Sequence, residues 1–169
     1  FERGTLNSNM RVFLPLILLA SGQAVVILGG GIDISVGSTV SIVNAILATQ
    51  LGTGASTEKT ILYLVLVLLV GMVAGAINGY FAAYLRLQPI ITTYATSFLF
   101  AGFALFILPS PGGGVPTSLS LFYRDTTPLG LPLGFYIIPI ILLGWYLVRQ
   151  TRYGRFIFAV GGQPDAAYE

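Results

Sequence analysis

The chain has 169 residues, of which 55% are hydrophobic and only 8% charged, and its formal net charge at pH 7 is +2. Soluble domains carry about 25% charged residues because their surface must be solvated, so this composition predicts an integral membrane protein. The small net charge argues against nucleic-acid binding, and the lack of cysteine and histidine excludes disulfides, thiolate or imidazole catalysis and Cys/His metal sites.

Five apolar runs follow one another and predict an all-α, polytopic transmembrane bundle. A helix needs about 20 apolar residues to cross a hydrocarbon core of about 30 Å. The runs cover residues 12–30, 38–53, 61–85, 89–108 and 134–148. A single helix over residues 12–53 would be about 60 Å long, twice the membrane thickness, so the first two runs are predicted to be separate passes.

Arginine positions orient these passes, since arginine in short loops favours the cytoplasmic side. The arginines that follow the last run and the third run are Arg149, Arg152, Arg155 and Arg86. Those ends are therefore predicted to be cytoplasmic. Residues 109–133, rich in Pro and Gly, are predicted to be extracytoplasmic and irregular. The same count places Arg3 and Arg11 outside, against the rule.

A polar interruption, GGGIDISVGS at residues 29–38, separates the first two runs. Glycine permits positive φ, and Asp33, Ser35 or Ser38 can cap the helix that restarts. Two interpretations stay open: a capped turn between two passes, or a broken segment that lines a transport path. Proteolysis by paired aspartates is excluded, because Asp33 has no acidic partner within an apolar run.

Further polar side chains lie inside the apolar runs. They are Gln23, Asn44, Asn78, Thr92, Thr93, Thr96 and Ser97. Asn78 lies among glycines at a spacing of four (Gly71, Gly75 and Gly79), which is typical of close helix packing. Thr93 and Thr96 can bond to their own helix. Contact with a transported solute is the alternative for each of these side chains.

Three blocks of the sequence resemble the permease subunits of bacterial ABC importers of the ribose and branched-chain-amino-acid type. The blocks are ASGQAVVILGGGIDISVGS (20–38), GAINGYFAAYLRLQPIITTYAT (75–96) and TRYGRFIFAVGGQPDAAYE (151–169). The resemblance implies about the first half of a permease that moves a small polar solute, a sugar or nucleoside, into the cytoplasm. One departure is Gln23, which stands where the family usually has Met.

The same resemblance implies the partners and the location. They are cytoplasmic ATPase subunits, a periplasmic or lipid-anchored solute-binding protein, a second permease subunit and the lipid of the bacterial cytoplasmic (inner) membrane. No nucleic acid, metal, cofactor or catalytic residue is expected in this chain, and ATP is expected on the partner subunit. The alternative is a secondary transporter driven by an ion gradient, in which Asp33 would bind the coupling cation.

Two candidate sites follow from the resemblance and the polar positions. The predicted substrate pathway contains Gln23, Asp33, Ser35, Ser38, Asn78, Thr93 and Thr96. The predicted ATPase-coupling segment is the cytoplasmic stretch 149–169 of a permease domain that covers residues 1–169. Its candidate residues are Gly154, Arg155, Gly161, Gly162, Gln163, Pro164 and Asp165. Gly161 and Gly162 are expected to turn the chain into a short helix that begins near Pro164.

Overall fold

The computed structural model describes residues 3–162, and this part of the chain is helical and contains no β-strand. The predicted all-α fold is therefore confirmed. The α-helices are α1 Arg3–Leu28, α2 Val36–Gln50, α3 Thr57–Gly79, α4 Pro89–Ile107, α5 Thr117–Asp125, α6 Gly134–Gln150 and α7 Arg152–Gly162. A π-helical turn, Tyr80–Tyr84, extends α3, and a 3₁₀ turn, Pro128–Gly130, lies between α5 and α6.

Local sequence explains where several helices begin. The hydroxyl of Ser56 accepts a hydrogen bond from the Lys59 N–H (3.3 Å) and caps α3, whose first turn also carries Glu58, a favourable charge at a helix N-terminus. Pro89 opens α4, where its fixed φ suits the first helical position and its missing N–H costs nothing. Between these two helices the chain turns at Arg86, which has a φ of 54°.

The number of membrane spans is lower than the five predicted. Among residues 3–162, the helices long and apolar enough to cross a membrane are Gly4–Leu28, Thr57–Tyr84 and Pro89–Ile107. A fourth span results only if α6 and α7, which meet at 81°, are counted as one broken span. The polar interruption shortens α2 to 15 residues, or about 22 Å at about 1.5 Å per residue, which is less than the membrane core.

The prediction that residues 109–133 are irregular is wrong for α5. The Pro and Gly residues of this segment lie on both sides of Thr117–Asp125, and the nine residues between them contain neither. Without a helix breaker, this stretch forms a helix directly after Pro116, whose side chain is fully buried.

The chain divides into two compact units. The first unit contains the chain up to Gly31 and from Leu121 on, and it includes α1, α6 and α7. The second unit is Ile32–Ser120, which includes α2, α3 and α4. Helix α5 begins in the second unit and ends in the first.

The second unit has its core where α2, α3 and α4 meet. The buried core residues are Ile42, Ala45, Ala74, Phe100 and Ala104. Alanines predominate in this set, so the helix backbones approach closely, as small residues allow in membrane bundles. Large apolar side chains such as Leu68, Met72 and Phe106 point outward, as lipid-facing positions require.

In the first unit, α1 contacts the segment that precedes α6. The Arg11 guanidinium donates to the carbonyl oxygen of Arg124 (2.7 Å), and the Tyr123 hydroxyl donates to the carbonyl oxygen of Arg11 (2.8 Å). These contacts bring the N-terminal half of α1 to the end of α5. They agree with the predicted topology, which places Arg11 and residues 109–133 on the same side of the membrane.

Candidate functional site

The chain leaves helical geometry between Leu28 and Val36, as both interpretations of this segment require. The N–H groups of Gly29, Gly30 and Gly31 close the end of α1 on carbonyls of its last turn. Gly30 has a φ of 81°, a conformation that favours glycine. Helix α2 then starts at Val36, two residues before the apolar run that begins at residue 38.

Asp33 is hydrogen-bonded to Ser35, the residue that directly precedes α2. One carboxylate oxygen of Asp33 accepts from the N–H of Ser35 (2.8 Å) and from its hydroxyl (2.7 Å). Ser35 is the N-cap residue, but its side chain makes no capping bond, and the Ser38 hydroxyl donates to the Ser35 carbonyl oxygen (2.8 Å). The predictions that Ser35 or Ser38 caps α2 are therefore wrong. Of the three candidate side chains, only that of Asp33 accepts a hydrogen bond from a backbone N–H within residues 3–162.

A chain of buried hydrogen bonds links the break to α3 and α4. The side-chain amide of Asn78 donates to the Ser35 hydroxyl (2.7 Å), and the Thr96 hydroxyl donates to the Asn78 amide oxygen (2.7 Å). Ser35 is 1% exposed, Asn78 6% and Thr96 7%. Because the Ser35 hydroxyl also donates to Asp33, the chain runs unbroken from the segment before α2 to the middle of the unit.

Thr93 of α4 holds the extended part of the break directly. Its hydroxyl donates to the Ile32 carbonyl oxygen (3.0 Å) and accepts from the Ile34 N–H (3.0 Å). A backbone N–H and a backbone carbonyl outside helical geometry are thereby satisfied, as they would have to be in a nonpolar environment. Thr93 is therefore more than a residue bonded to its own helix.

The structure brings most of the predicted pathway residues together. We call Asp33, Ser35, Asn78, Thr93 and Thr96 the break cluster, and all five lie in the second unit. Ser38 borders the cluster through its bond to Ser35. Gln23 lies on α1 in the first unit, where it is half-buried.

The glycine stripe next to Asn78 faces open space within the described part of the chain. A Cβ added at Gly71, Gly75 or Gly79 would meet nothing within 4 Å, so no described residue packs closely against this face of α3. Asn78 itself joins helices, as its packing interpretation predicted, but it does so by hydrogen bonds to α2 and α4.

The junction of α6 and α7 contains the first coupling candidates. The chain bends by 81° there, and the Thr151 hydroxyl accepts from the Gly154 N–H (3.2 Å), which caps α7. Gly154 is buried, and a Cβ at this position would overlap with the Val148 carbonyl oxygen. The Arg155 guanidinium donates to the Gln150 carbonyl oxygen (3.1 Å), a favourable position for a cation at the C-terminus of α6.

The other end of α7 lies against the end of α1. A Cβ added at Gly161 would overlap with the Leu28 carbonyl oxygen and lie 3.0 Å from the Gly30 nitrogen. The predicted turn at Gly161 and Gly162 is wrong, because both residues belong to the last turn of α7. The absence of a side chain at Gly161 permits close backbone contact instead. The candidates Gln163, Pro164 and Asp165 lie outside the described residues.

One further feature could not be identified from the sequence. Gly113 has a φ of 80° and lies so close to α2 that a Cβ would overlap with the Ala48 carbonyl oxygen. The neighbouring Gly114 N–H donates to that same oxygen (3.0 Å). The PSPGGG sequence indicated only an irregular loop, whereas the structure packs it onto the C-terminal part of α2.

Apolar helices of spanning length, together with a hydrogen-bonded break between α1 and the shorter apolar helix α2, define an integral membrane protein. Residues 6–168 match the family described as the permease component of the branched-chain amino acid transport system, and the chain belongs to this family. The resemblance found in the sequence is thereby confirmed.

Two curated relatives place the chain within this family. It is 34% identical over 163 residues to the autoinducer 2 import system permease protein LsrD of Yersinia enterocolitica, which covers 92% of this chain and 48% of that protein. It is 32% identical over 168 residues to the galactose/methyl galactoside import permease protein MglC of Escherichia coli K12, covering 89% of this chain and 50% of that protein. The chain thus spans about half the length of these relatives. No solved structure matches it.

Proposed function

We propose that this chain forms part of the permease of an ATP-driven importer in the bacterial cytoplasmic membrane, and that the importer carries a small sugar-type solute inward. Membership of the permease family supports the transport role. The name of the galactose/methyl galactoside permease supports a sugar as the solute class.

The proposal assigns ATP hydrolysis to separate cytoplasmic ATPase subunits and solute delivery to a binding protein. The permease then works as a pair with a second permease subunit, and this chain holds no cofactor. Its own residues supply helices that cross the membrane several times and a segment through which the ATPase moves them.

The contact between α7 and the end of α1 is the observation that carries the coupling role. Helix α7 follows a basic helix end, with Arg149, Arg152 and Arg155 close in sequence, as expected for the cytoplasmic side. Its Gly161 touches the backbone at Leu28 and Gly30, immediately before the break in sequence. A movement of α7 driven by the ATPase would therefore be transmitted to the residues where α1 ends and the break begins.

The energy source is tested by uptake into proteoliposomes that contain the complete transporter. We expect uptake of D-galactose to require ATP hydrolysis and the binding protein, and to be unaffected by an imposed proton or sodium gradient. Uptake that follows the ion gradient without ATP would overturn the proposal in favour of a secondary transporter.

The coupling role is tested by a matched pair of glycine substitutions in α7. Gly161→Ala introduces an overlap with the Leu28 carbonyl oxygen, whereas Gly162→Ala adds a methyl group that meets no atom of residues 3–162 within 4 Å. We expect Gly161→Ala to lower uptake and binding-protein-stimulated ATP hydrolysis together, while Gly162→Ala keeps both, because alanine is favoured in helices. If the two variants behaved alike, the contact between Gly161 and Leu28 would not be needed for coupling ATP hydrolysis to uptake.

A further inference from the structure

The break cluster offers few groups to a passing solute. The hydroxyls of Ser35, Thr93 and Thr96 and the amide of Asn78 are buried and bonded within the protein. A solute could bind to these groups only after their hydrogen bonds within the protein were broken. Breaking each bond would leave a buried polar group unsatisfied, which is costly. Polar groups that contact the solute are therefore to be sought elsewhere in the second unit.

A stripe of small and polar residues runs along α2. It consists of Gly37, Ser41, Asn44 and Ala48, and their spacings of four, three and four place them on one narrow strip of the helix surface. The core residue Ile42 lies on a different side of the same helix, whereas Ala45 belongs to the core and also lines the groove between α2 and α4. The four residues of the stripe are not themselves core residues.

This stripe borders a groove with a volume of about 520 Å³, a size typical of small-molecule sites. Residues 41, 44, 45 and 48 of α2 form one wall, the C-terminal end of α4 contributes the opposite wall, and residues 112–115 close one end. The close contact between Gly113 and the Ala48 carbonyl oxygen fixes this closure. The residues that line the groove include no charged side chain.

Asn44 is the informative residue of the groove. It is exposed, it lies near the middle of α2, and no hydrogen bond among residues 3–162 involves its side-chain amide. An amide without a partner in lipid costs on the order of several kcal/mol. Asn44 therefore requires water, a solute or another polar protein group beside it. The hydroxyl of Ser41, by contrast, is satisfied by the Gly37 carbonyl oxygen (3.0 Å).

We infer that the groove between α2 and the loop at residues 112–115 contacts the transported solute through Asn44, and that this solute is an uncharged polyhydroxyl compound. The inference rests on the proposed import function. A side-chain amide donates and accepts at once, which matches adjacent hydroxyl groups of a sugar. The alanine and glycine walls allow a ring to approach closely, and an amino acid would find no charged group in the groove for its ammonium or carboxylate.

Cysteine labelling of the complete transporter tests this directly, because the 169 residues contain no cysteine that would react in parallel. Asn44→Cys and Ser41→Cys are made in an otherwise cysteine-free transporter and treated with a water-soluble, membrane-impermeant thiol reagent. Val43→Cys is the control, because Val43 is not three or four residues from any member of the stripe and does not line the groove. We expect modification at positions 41 and 44 and none at position 43.

Protection then identifies the occupant. D-galactose or D-ribose at about ten times its dissociation constant should slow modification of Asn44→Cys about tenfold, because only the unoccupied fraction reacts. L-leucine should give no protection. Absence of labelling, or labelling that neither sugar slows, overturns the groove as a solute site and favours a helix of another subunit beside the stripe. Protection by leucine alone overturns the assignment to polyhydroxyl compounds.

Uptake provides an independent measurement. Asn44→Val should raise the sugar concentration for half-maximal uptake about tenfold, the factor expected from loss of an ordinary hydrogen bond. Wild-type uptake by this variant would contradict the inference. Labelling and protection need no ATP, so they test the groove independently of the energy source. If the sugar still protects position 44 but ATP does not drive uptake, the proposed energy source is overturned and the groove remains the proposed solute site.

Discussion

The break cluster and the groove on α2 use the same kinds of side chain in opposite ways. In the cluster, Ser35 and Asn78 are buried and bonded to each other across two helices. In the groove, Asn44 is exposed, and among residues 3–162 its amide is not hydrogen-bonded. Both asparagines interrupt apolar helices, so residue type does not distinguish them. What distinguishes a structural polar group from one available to a solute is whether the fold already satisfies its hydrogen bonds.

Replacement of Asn78 should produce the largest loss of stability. Asn78→Leu keeps the approximate size of the side chain but removes both bonds that join Ser35 to Thr96. Because buried polar groups are left with fewer partners, we expect the free energy of unfolding to fall by about 3 kcal/mol. Thermal unfolding of the purified full-length protein measures this change.

Ser41→Ala is the matched control for that experiment, since Ser41 is exposed and bonds only within its own helix. We expect its unfolding midpoint to stay close to that of the wild type. If both variants lost a similar amount of stability, burial of the polar groups in the break cluster would not explain why the cluster and the groove on α2 differ.

Replacement of Thr93 should have an intermediate effect that is localised to the break. Thr93→Val removes the bonds to the Ile32 carbonyl and the Ile34 N–H, at a cost of about 2 kcal/mol. Thr93→Ser retains the hydroxyl and should lose much less. Hydrogen exchange at the Ile34 amide is the sharper measurement, since it should accelerate in the valine variant alone. Unchanged exchange in Thr93→Val would show that the break keeps its shape without α4.

The sequence predicted the long helices well because apolar runs mark the parts of a helix that contact lipid. It predicted the helix ends less well because a helix can continue into polar residues that do not contact lipid. Helix α1 starts at Arg3, nine residues before its apolar run, since polar residues beyond the membrane can remain helical. Helix α5 was missed because Pro and Gly on both sides of it dominated the composition of the segment.

The sequence also identified the members of the break cluster but not their arrangement. Ser35 and Asn78 are 43 residues apart, and their contact depends on how α2 crosses α3. Gly161 illustrates the same limit: glycine indicates a turn locally, whereas its position against Leu28 depends on tertiary packing. Polarity inside an apolar run marks a residue as important, but the role follows only from its neighbours.

The smallest effect is expected for a polar contact in water, outside both regions. Arg124 and Asp125 form an exposed ion pair with an N–O distance of 2.8 Å, and the hydrogen bond from Arg124 lowers the pKa of the Asp125 carboxyl. A pKa lowered by folding contributes stability above the unfolded value of about 3.9 and loses it as the pH falls through the folded value. Since both side chains are exposed, solvent screening should make Asp125→Asn nearly neutral at pH 7, and the difference from wild type should shrink further at pH 3. Unfolding midpoints of the two proteins at both pH values measure this. A large difference between the unfolding midpoints at pH 7 would mean that Asp125 stabilises the protein through more than its pair with Arg124. Exposure would then not be enough to make a polar contact weak.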